Sequence, residues 1–421
     1  MGNTVLFFGA GAEYSFGLPT GPKFTKNSLL TKNEKLYDAL EHFYATRTAL
    51  QDDISFAGKY HKIFMFQSNG YTYRKLIKKT VSSFTLSEQA SNLCKRLFAL
   101  AREAAEKEES GIEDEAVCKA FYEEARLAFA DLVAVQPSDT YKELLDHLTY
   151  YGIIEKDFST INQPSKVGVD RFWRLLNYFW SAFFCIVSPV LKACGYDDYE
   201  NYDEILSHLN EVLRFLDSNA FLKKMQTYAP QSYYQQINTA IQNAKEQYSI
   251  ITTNYTRLCE LTGIHQVAYL AGRINQFEYP HLLEVKDIDS VHQIEEHDFV
   301  FPYLLTQAHI KPIICERQLR EYQHALQQLD ACDHIIMIGY SLCEEDNHIV
   351  SLLRSYIKDR HVTLSYMNYG AGQQLHKENL LKRLRLTDID VSIQVYNYTE
   401  SNFYETFYHI CQSQQKTLAV G

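Results

Sequence analysis

Val5-Leu6-Phe7-Phe8-Gly9-Ala10-Gly11-Ala12-Glu13 is the stretch whose reading decides the fold. Four consecutive bulky apolar residues, without the alternation of a half-exposed strand, read as a strand buried on both faces, the habit of parallel sheets. The run stops at two glycines separated by one residue. A strand ending in G-x-G lets the backbone turn tightly and approach a pyrophosphate with no Cβ in the way. Alone, such a turn in an α/β protein is about as often structural as phosphate-binding. The ordinary dinucleotide fingerprint is also incomplete: Gly17 comes later than its third glycine should, and no clear acidic residue closes a second strand roughly 20 residues on.

Outward from this stretch, a second cluster follows at Gly17-Leu18-Pro19-Thr20-Gly21-Pro22, where Pro22 suits the first turn of a helix. Further apolar runs lie at Ser249–Thr253, Gln266–Leu270, His334–Ile338, Val362–Met367 and Val391–Val395. A helix predicted from Arg317 to Leu329 carries Leu319, Tyr322, Leu326 and Leu329 on its apolar face. Another, beginning near Glu345, carries Ile349, Leu352, Leu353 and Tyr356. Strand 334–341, helix 345–358 and strand 362–368 make a βαβ unit, hence a parallel pair with a right-handed crossover. Between the two strand-bearing ends, from about 84 to 247, the period is helical. Its stripes are Leu93, Leu97 and Leu100; Phe121, Ala125, Phe129 and Leu132; and Ile205, Leu209, Val212 and Leu216. The acidic stretch Glu103–Glu124 reads as a solvated face with a turn at Ser110-Gly111. The expected fold is therefore α/β: a doubly wound, mostly parallel Rossmann-like sheet with a large helical insertion. Residues 1–83 and 248–400 build the α/β domain, 84–247 the helical subdomain, and 401–421 a C-terminal helix or tail.

Composition narrows the class. Of 421 residues, 46% are hydrophobic and 22% charged, ordinary for a globular chain. A formal net charge of −11 argues against direct nucleic-acid binding. The nine cysteines include no C-x-x-C pair, so neither a zinc ribbon nor a redox pair is readable, and a scattered odd set fits reduced thiols in a cytoplasm. The weakly charged run from Leu175 to Leu191 is interrupted by Asn177, Ser181, Ser188 and Pro189, and reads as a buried core helix, since a membrane span needs about 20 apolar residues. No leader is expected, because Val5–Phe8 reads as a strand.

Polar residues gather where these strands end. Thr253 and Asn254 follow one strand, Gly339, Tyr340 and Ser341 another, and Asn368 a third. At the C-terminal edge of a parallel sheet such residues face the ligand crevice. The amide of Asn254 offers donors and an acceptor to a ribose hydroxyl or a water; taken alone, it reads as the cap of the next helix. Glu344, Glu345 and Asp346 suit a helix N-terminus by dipole complementation and capping.

Together these segments resemble the sirtuin superfamily over roughly residues 3–30 and 248–370. The family's G-A-G-A-x-x-x-x-G-[IL]-P segment matches Gly9-Ala10-Gly11-Ala12-Glu13-Tyr14-Ser15-Phe16-Gly17-Leu18-Pro19, its T-x-N-Y-D segment resembles Thr252-Thr253-Asn254-Tyr255-Thr256, and its serine-bearing glycine strand resembles Gly339-Tyr340-Ser341-Leu342. Asn368 looks like the late asparagine near the adenine ribose. The resemblance implies a nicotinamide adenine dinucleotide (NAD) site formed by Gly9, Ala10, Gly11, Ala12, Glu13, Leu18, Pro19, Thr253, Asn254, Gly339, Tyr340, Ser341 and Asn368, with no metal.

The sequence departs from the family at three points. The four-cysteine ribbon of the zinc-bearing deacylases is absent, and L-P-T-G with G-Y-S-L looks more like the sirtuin-like NADases of bacterial antiviral defence. Where the family carries histidine in L-H-G, this chain reads Leu270-Ala271-Gly272, and alanine cannot accept a proton. The chain is then a natural pseudoenzyme, a histidine-to-alanine variant made to trap ligand, or an enzyme served by another histidine. The second is favoured because every neighbouring element keeps its expected type; His265 lies at the wrong end of its strand, and His309 and His334 read as ordinary surface or strand-edge residues. Third, Glu13 stands where serine is common and Thr256 where aspartate is common. Glu13 is expected to point at a ribose or cap a helix. The implied reaction is hydrolysis of NAD to nicotinamide and ADP-ribose, with Asn254 orienting the nucleophile and the Gly9–Ala12 turn holding the diphosphate. The implied role is the effector of an abortive-infection system, gated by self-assembly or by a partner such as an ATPase or nucleotide-processing subunit. The competing reading is a subunit that senses NAD without chemistry.

Overall fold

The computed structural model describes residues 3–20, 24, 34–45, 164–196, 201–242, 244, 246–279, 282, 284–288, 290, 293–295, 298–305, 315–342, 346–370, 377–387 and 389–420. The apolar stripes at 93–100 and 121–132, the helix start at Pro22, the acids Glu344 and Glu345, and His309 lie outside them.

The described strands are β1 (Asn3–Phe8), β2 (Gln247–Thr252), β3 (Val267–Tyr269), β4 (Gln276–Tyr279), β5 (Glu284–Asp287), β6 (Phe301–Pro302), β7 (His334–Ile338), β8 (Thr363–Tyr369) and β9 (Ile393–Tyr398). The described helices are α1 (Glu34–Ala45), α2 (Pro164–Ala193), α3 (Tyr202–Ser207), α4 (Leu209–Leu216), α5 (Asn219–Tyr228), α6 (Tyr233–Ile241), α7 (Glu316–Asp330), α8 (Asn347–Asp359), α9 (Lys377–Leu384) and α10 (Phe403–Val420).

Strand β1 lies at the centre. It pairs in parallel with β2 on one side and β7 on the other, and the six-stranded sheet runs β3-β2-β1-β7-β8-β9. All its pairs are parallel. The order reverses between β1 and β7, the switch point of a doubly wound α/β fold, where a crevice opens beyond the carboxyl ends of the strands.

The apolar residues of β1 divide between two cores as the pleat requires. Leu6 and Phe8 enter a core with Ile250, Ile336, Trp180, Phe183, Val212 and Tyr234. Val5 and Phe7 enter the opposite core with Ile335, Met337, Leu329, Leu353 and Leu380. Helices α1–α6 and α10 therefore contribute to one face and α7–α9 to the other. The described helices of 164–242 share the core of the sheet itself. Within it, Tyr44 ties α1 to α2: its hydroxyl accepts from Trp180 Nε1 at 2.7 Å and donates to the Val300 carbonyl at 2.5 Å. Helix α2 is buried along 179–191, as expected of a core helix, and no described helix is long and apolar enough to cross a membrane.

Three sequence expectations need correction. The Ile205–Leu216 stripe is buried, but it belongs to two helices that meet at His208. On α7 the buried residues are Gln318, Ala325, Gln328 and Leu329, whereas Leu319 is 53% exposed and Leu326 39%. Leu329 of the expected face is buried and Tyr322 packs partly buried against the same core; the helix is turned by one position only with respect to Leu319 and Leu326, and Gln328 Nε2 donates to the Gln266 carbonyl. Between Ala271 and α7 the chain forms an unanticipated antiparallel sheet, β5-β4-β6.

Candidate functional site

Parallel register sets the ends of five strands in one row. Phe8 pairs with both Thr252 and Ile338, Thr252 with Tyr269, and Ile338 with Met367. The residues that follow leave the sheet at one edge, and a cavity of about 460 Å³ opens there, within the range of small-molecule and cofactor sites. From the β1 end it is lined by Ala10, Gly11, Glu13, Leu18 and Pro19, and from the β2 and β3 ends by Thr253, Asn254, Thr256 and Ala271. The β7 and β8 ends supply Gly339, Tyr340, Ser341, Asn368 and Tyr369. Of the residues singled out in the sequence, Gly9 and Ala12 lie behind this surface and not on it.

The glycines at the switch point serve the approach of two backbones. Gly9 N donates to the Ile338 carbonyl at 3.0 Å and Gly11 N to the Gly339 carbonyl at 2.9 Å. A Cβ on Gly9 would lie 2.6 Å from Gly339 O, and one on Gly339 2.2 Å from Ala12 N. Ala12 N is also engaged, by the Gly9 carbonyl at 2.9 Å. Three of the four amides of the Gly9–Ala12 turn thus already donate to protein carbonyls, leaving that of Ala10.

Asn254 does not cap a helix, since the following 3-10 helix (Leu258–Thr262) begins after Arg257. Its backbone N–H donates to Thr252 Oγ1 at 3.0 Å, and Nδ2 donates to the Gly9 carbonyl at 3.1 Å and to Tyr234 Oη at 3.2 Å. With both amide hydrogens used, Oδ1 is the group this side chain has left to offer. Tyr234, on α6, was not legible as a site residue; it lies 221 positions from Glu13 in the chain, and no local motif marks it.

Glu13 neither caps a helix nor stands free. It lies inside the 3-10 helix Ala10–Phe16, only 4% exposed. Its Oε1 accepts from Thr256 Oγ1 at 2.6 Å and from Tyr234 Oη at 3.3 Å. The two residues singled out in the sequence, Glu13 and Thr256, are therefore partners in one carboxylate–hydroxyl pair. Burial pushes the Glu13 carboxyl up to about 7, against the hydrogen bonds from Thr256, Tyr234 and Asn254 that pull it down.

Ala271 follows β3 and is 8% exposed, packed with Tyr303 and Leu305. It reaches the cavity as a methyl group. At the opposite side, Tyr340 is fixed by its ring against Phe7, by its hydroxyl donating to Asp346 Oδ2 at 2.9 Å, and by its carbonyl accepting from Tyr366 Oη at 2.5 Å. Asp346 thus accepts a tyrosine hydroxyl, and its side chain makes no cap bond to α8. Asn368 Nδ2 donates to Asn397 Oδ1 at 2.8 Å, and Tyr369, Tyr398 and Tyr233 supply aromatic walls.

His334 is buried, with Nε2 2.8 Å from Ser365 Oγ, and burial lowers it to about 4. It sits at the N-terminal end of β7, away from the cavity edge. His265 is exposed ahead of β3. His348, near the start of α8, does line the cavity; its position in the first turn after a strand end was the available signal.

No protein-family model and no curated protein matches this chain. Among solved structures it is similar to a triply substituted Sir2 homologue in complex with 2′-O-acetyl ADP ribose, at 13% identity and TM-score 0.32, over 50% of this chain and 77% of that one. It is also similar to a Sir2 homologue in complex with NAD, at 12% identity and TM-score 0.30, over 50% of this chain and 75% of that one. A third is Sir2 in complex with an inhibitor, 2′-O-acetyl-ADP-ribose and a deacetylated peptide, at 16% identity and TM-score 0.28, over 51% and 87%.

Proposed function

We propose that the protein binds NAD at the switch point of its parallel sheet and hydrolyses the N-glycosidic bond, releasing nicotinamide and ADP-ribose. The observation that carries the reading is the convergence, around one cavity, of strand-end residues the sequence singled out independently: Ala10, Gly11, Glu13, Thr253, Asn254, Ala271, Gly339, Ser341 and Asn368. In this reading the adenosine half lies toward Asn368 and Tyr369, and the nicotinamide ribose toward Asn254 and Ala271. The diphosphate crosses the β1–β7 junction, where Ala10 supplies an amide and no lysine or arginine is present among the described lining residues. As C1′ gains oxocarbenium character, preorganised acceptors are the groups that help, and Asn254 Oδ1 orients the attacking water.

Loss of NAD is lethal to a cell, so such an enzyme needs gating. We assign it as the effector of an antiphage abortive-infection system in the cytoplasm, held inactive until self-assembly or a partner, an ATPase or nucleotide-processing subunit, releases it. A second reading, an NAD-sensing subunit without chemistry, draws on the methyl group of Ala271.

The test is to incubate NAD with the chain and with Ala271→His, alone and with candidate partners, and to quantify nicotinamide and ADP-ribose. Release of the two in equal amounts supports hydrolysis. NAD bound but recovered intact from both proteins would favour the sensor, and absence of binding by both would overturn the proposal.

A further inference from the structure

Glu13 is a poor choice for stability alone. A buried carboxylate without a cation is costly, and none faces it among the described residues. Its surroundings are the Thr256 hydroxyl, the Asn254 amide, the Tyr234 phenol on α6 and the Cys259 thiol of the 3-10 helix Leu258–Thr262. Burial raises both Tyr234 and Cys259 above their ordinary ranges, so each stays neutral. A glutamine would accept the same hydroxyl donors without the charge. Glu13 nevertheless lines the cavity, and it does so on the side of Asn254 and Ala271, because its partners leave the sheet after β2, the strand between β1 and β3. His348 follows β7, three strand positions from β3, roughly 14 Å at about 4.8 Å per strand.

We infer that Glu13 is the catalytic acid–base group of this site, taking the proton that the alanine at position 271 cannot. This rests on the NAD reading above. Water oxygen bonds to C1′ as the bond from C1′ to the pyridinium nitrogen breaks. That electron pair leaves with nicotinamide, which departs neutral, and the water proton passes to the Glu13 carboxylate and then to solvent. Nothing is oxidised or reduced. A carboxyl held near 7 is half ionised at neutral pH, the poise proton transfer requires.

The test uses binding as well as turnover. NAD and ADP-ribose are titrated calorimetrically into the wild type and Glu13→Gln at pH 5.5, 7 and 8.5. NAD carries a pyridinium cation that favours ionised Glu13. An opposite charge within about 4–6 Å moves a carboxyl by about one unit or more, and one unit is tenfold in affinity. The wild type should therefore bind NAD roughly tenfold tighter at pH 8.5 than at 5.5, with no such rise for ADP-ribose. Glu13→Gln should bind NAD with a flat pH response, and its nicotinamide release should fall by about 10²–10⁴-fold. Glu13→Asp, which keeps the acid, should retain the pH response and guards against a folding defect in Glu13→Gln. A pH response that survives in Glu13→Gln belongs to another group and overturns the inference, as does undiminished nicotinamide release. Wild type that binds both ligands with a flat response refutes only the role of Glu13, whereas wild type that binds neither refutes the NAD site itself.

Discussion

A single methyl group placed on Gly339 tests the geometry of the switch point. The residue has φ +67°, and an added Cβ would lie 2.2 Å from Ala12 N and 2.6 Å from Gly11 C. Left-handed backbone costs an L-residue about 1–2 kcal/mol. Overlap with backbone atoms that cannot rotate aside adds about 1–3 kcal/mol, the usual range for overpacking, so Gly339→Ala should lose roughly 2–5 kcal/mol. Gly17 is the control: its φ is +78° and an added Cβ would meet nothing within 4 Å, so Gly17→Ala should lose only the first contribution, about 1–2 kcal/mol. Urea unfolding followed by far-ultraviolet circular dichroism measures both, with unchanged slopes showing that stability alone has moved. Equal losses in the two variants would refute the close approach of the β1 and β7 turns.

Three further outcomes follow from particular contacts. Tyr44→Phe removes a hydroxyl shared by Trp180 Nε1 and the Val300 carbonyl, both on fully buried residues; each orphaned group costs about 1–3 kcal/mol, so an unchanged urea midpoint would contradict the packing of α1 on α2. Because burial lowers His334 from 6.5 to about 4, the folded state binds its proton less readily than the unfolded chain. Its contribution is intact above pH 6.5 and is lost as pH falls toward 4, by roughly 3 kcal/mol at most, and His334→Gln should flatten that limb of the stability–pH profile. Glu13 has the opposite sign: raised to about 7, it favours folding fully below its unfolded value and loses that contribution as pH rises through 7. Urea midpoints should therefore shift in favour of Glu13→Gln between pH 5 and pH 8, and a shift the other way would place a cation beside Glu13.

Much of the sheet was legible because buried parallel strands are written as unbroken apolar runs. Val5–Phe8 and His334–Ile338 lie within observed strands. Strand β7 ends at Ile338, short of the expected residue 341, because Gly339 turns there with positive φ. The β4–β6 sheet was missed because its strands are two to four residues long and one of them, Glu284–Asp287, is mostly charged. On α7 the expected Leu329 is buried and Tyr322 partly so, but Leu319 and Leu326 are exposed because docking turned Gln318 and Gln328 inward, and their burial depends on partners that a helical period does not reveal. Strand-end residues of the site followed from the same logic as the strands. The pairing of Glu13 with Thr256 and the arrival of Tyr234 did not, since both are set by how α6 and the β2 turn pack above β1.

The most direct test of the central claim is a crystal structure of the protein grown with NAD. Density is expected across the β1–β7 junction, with the nicotinamide ribose at Asn254 and Ala271 and the adenosine toward Asn368 and Tyr369. NAD bound elsewhere on the chain, or a cavity left empty at saturating NAD, would contradict it.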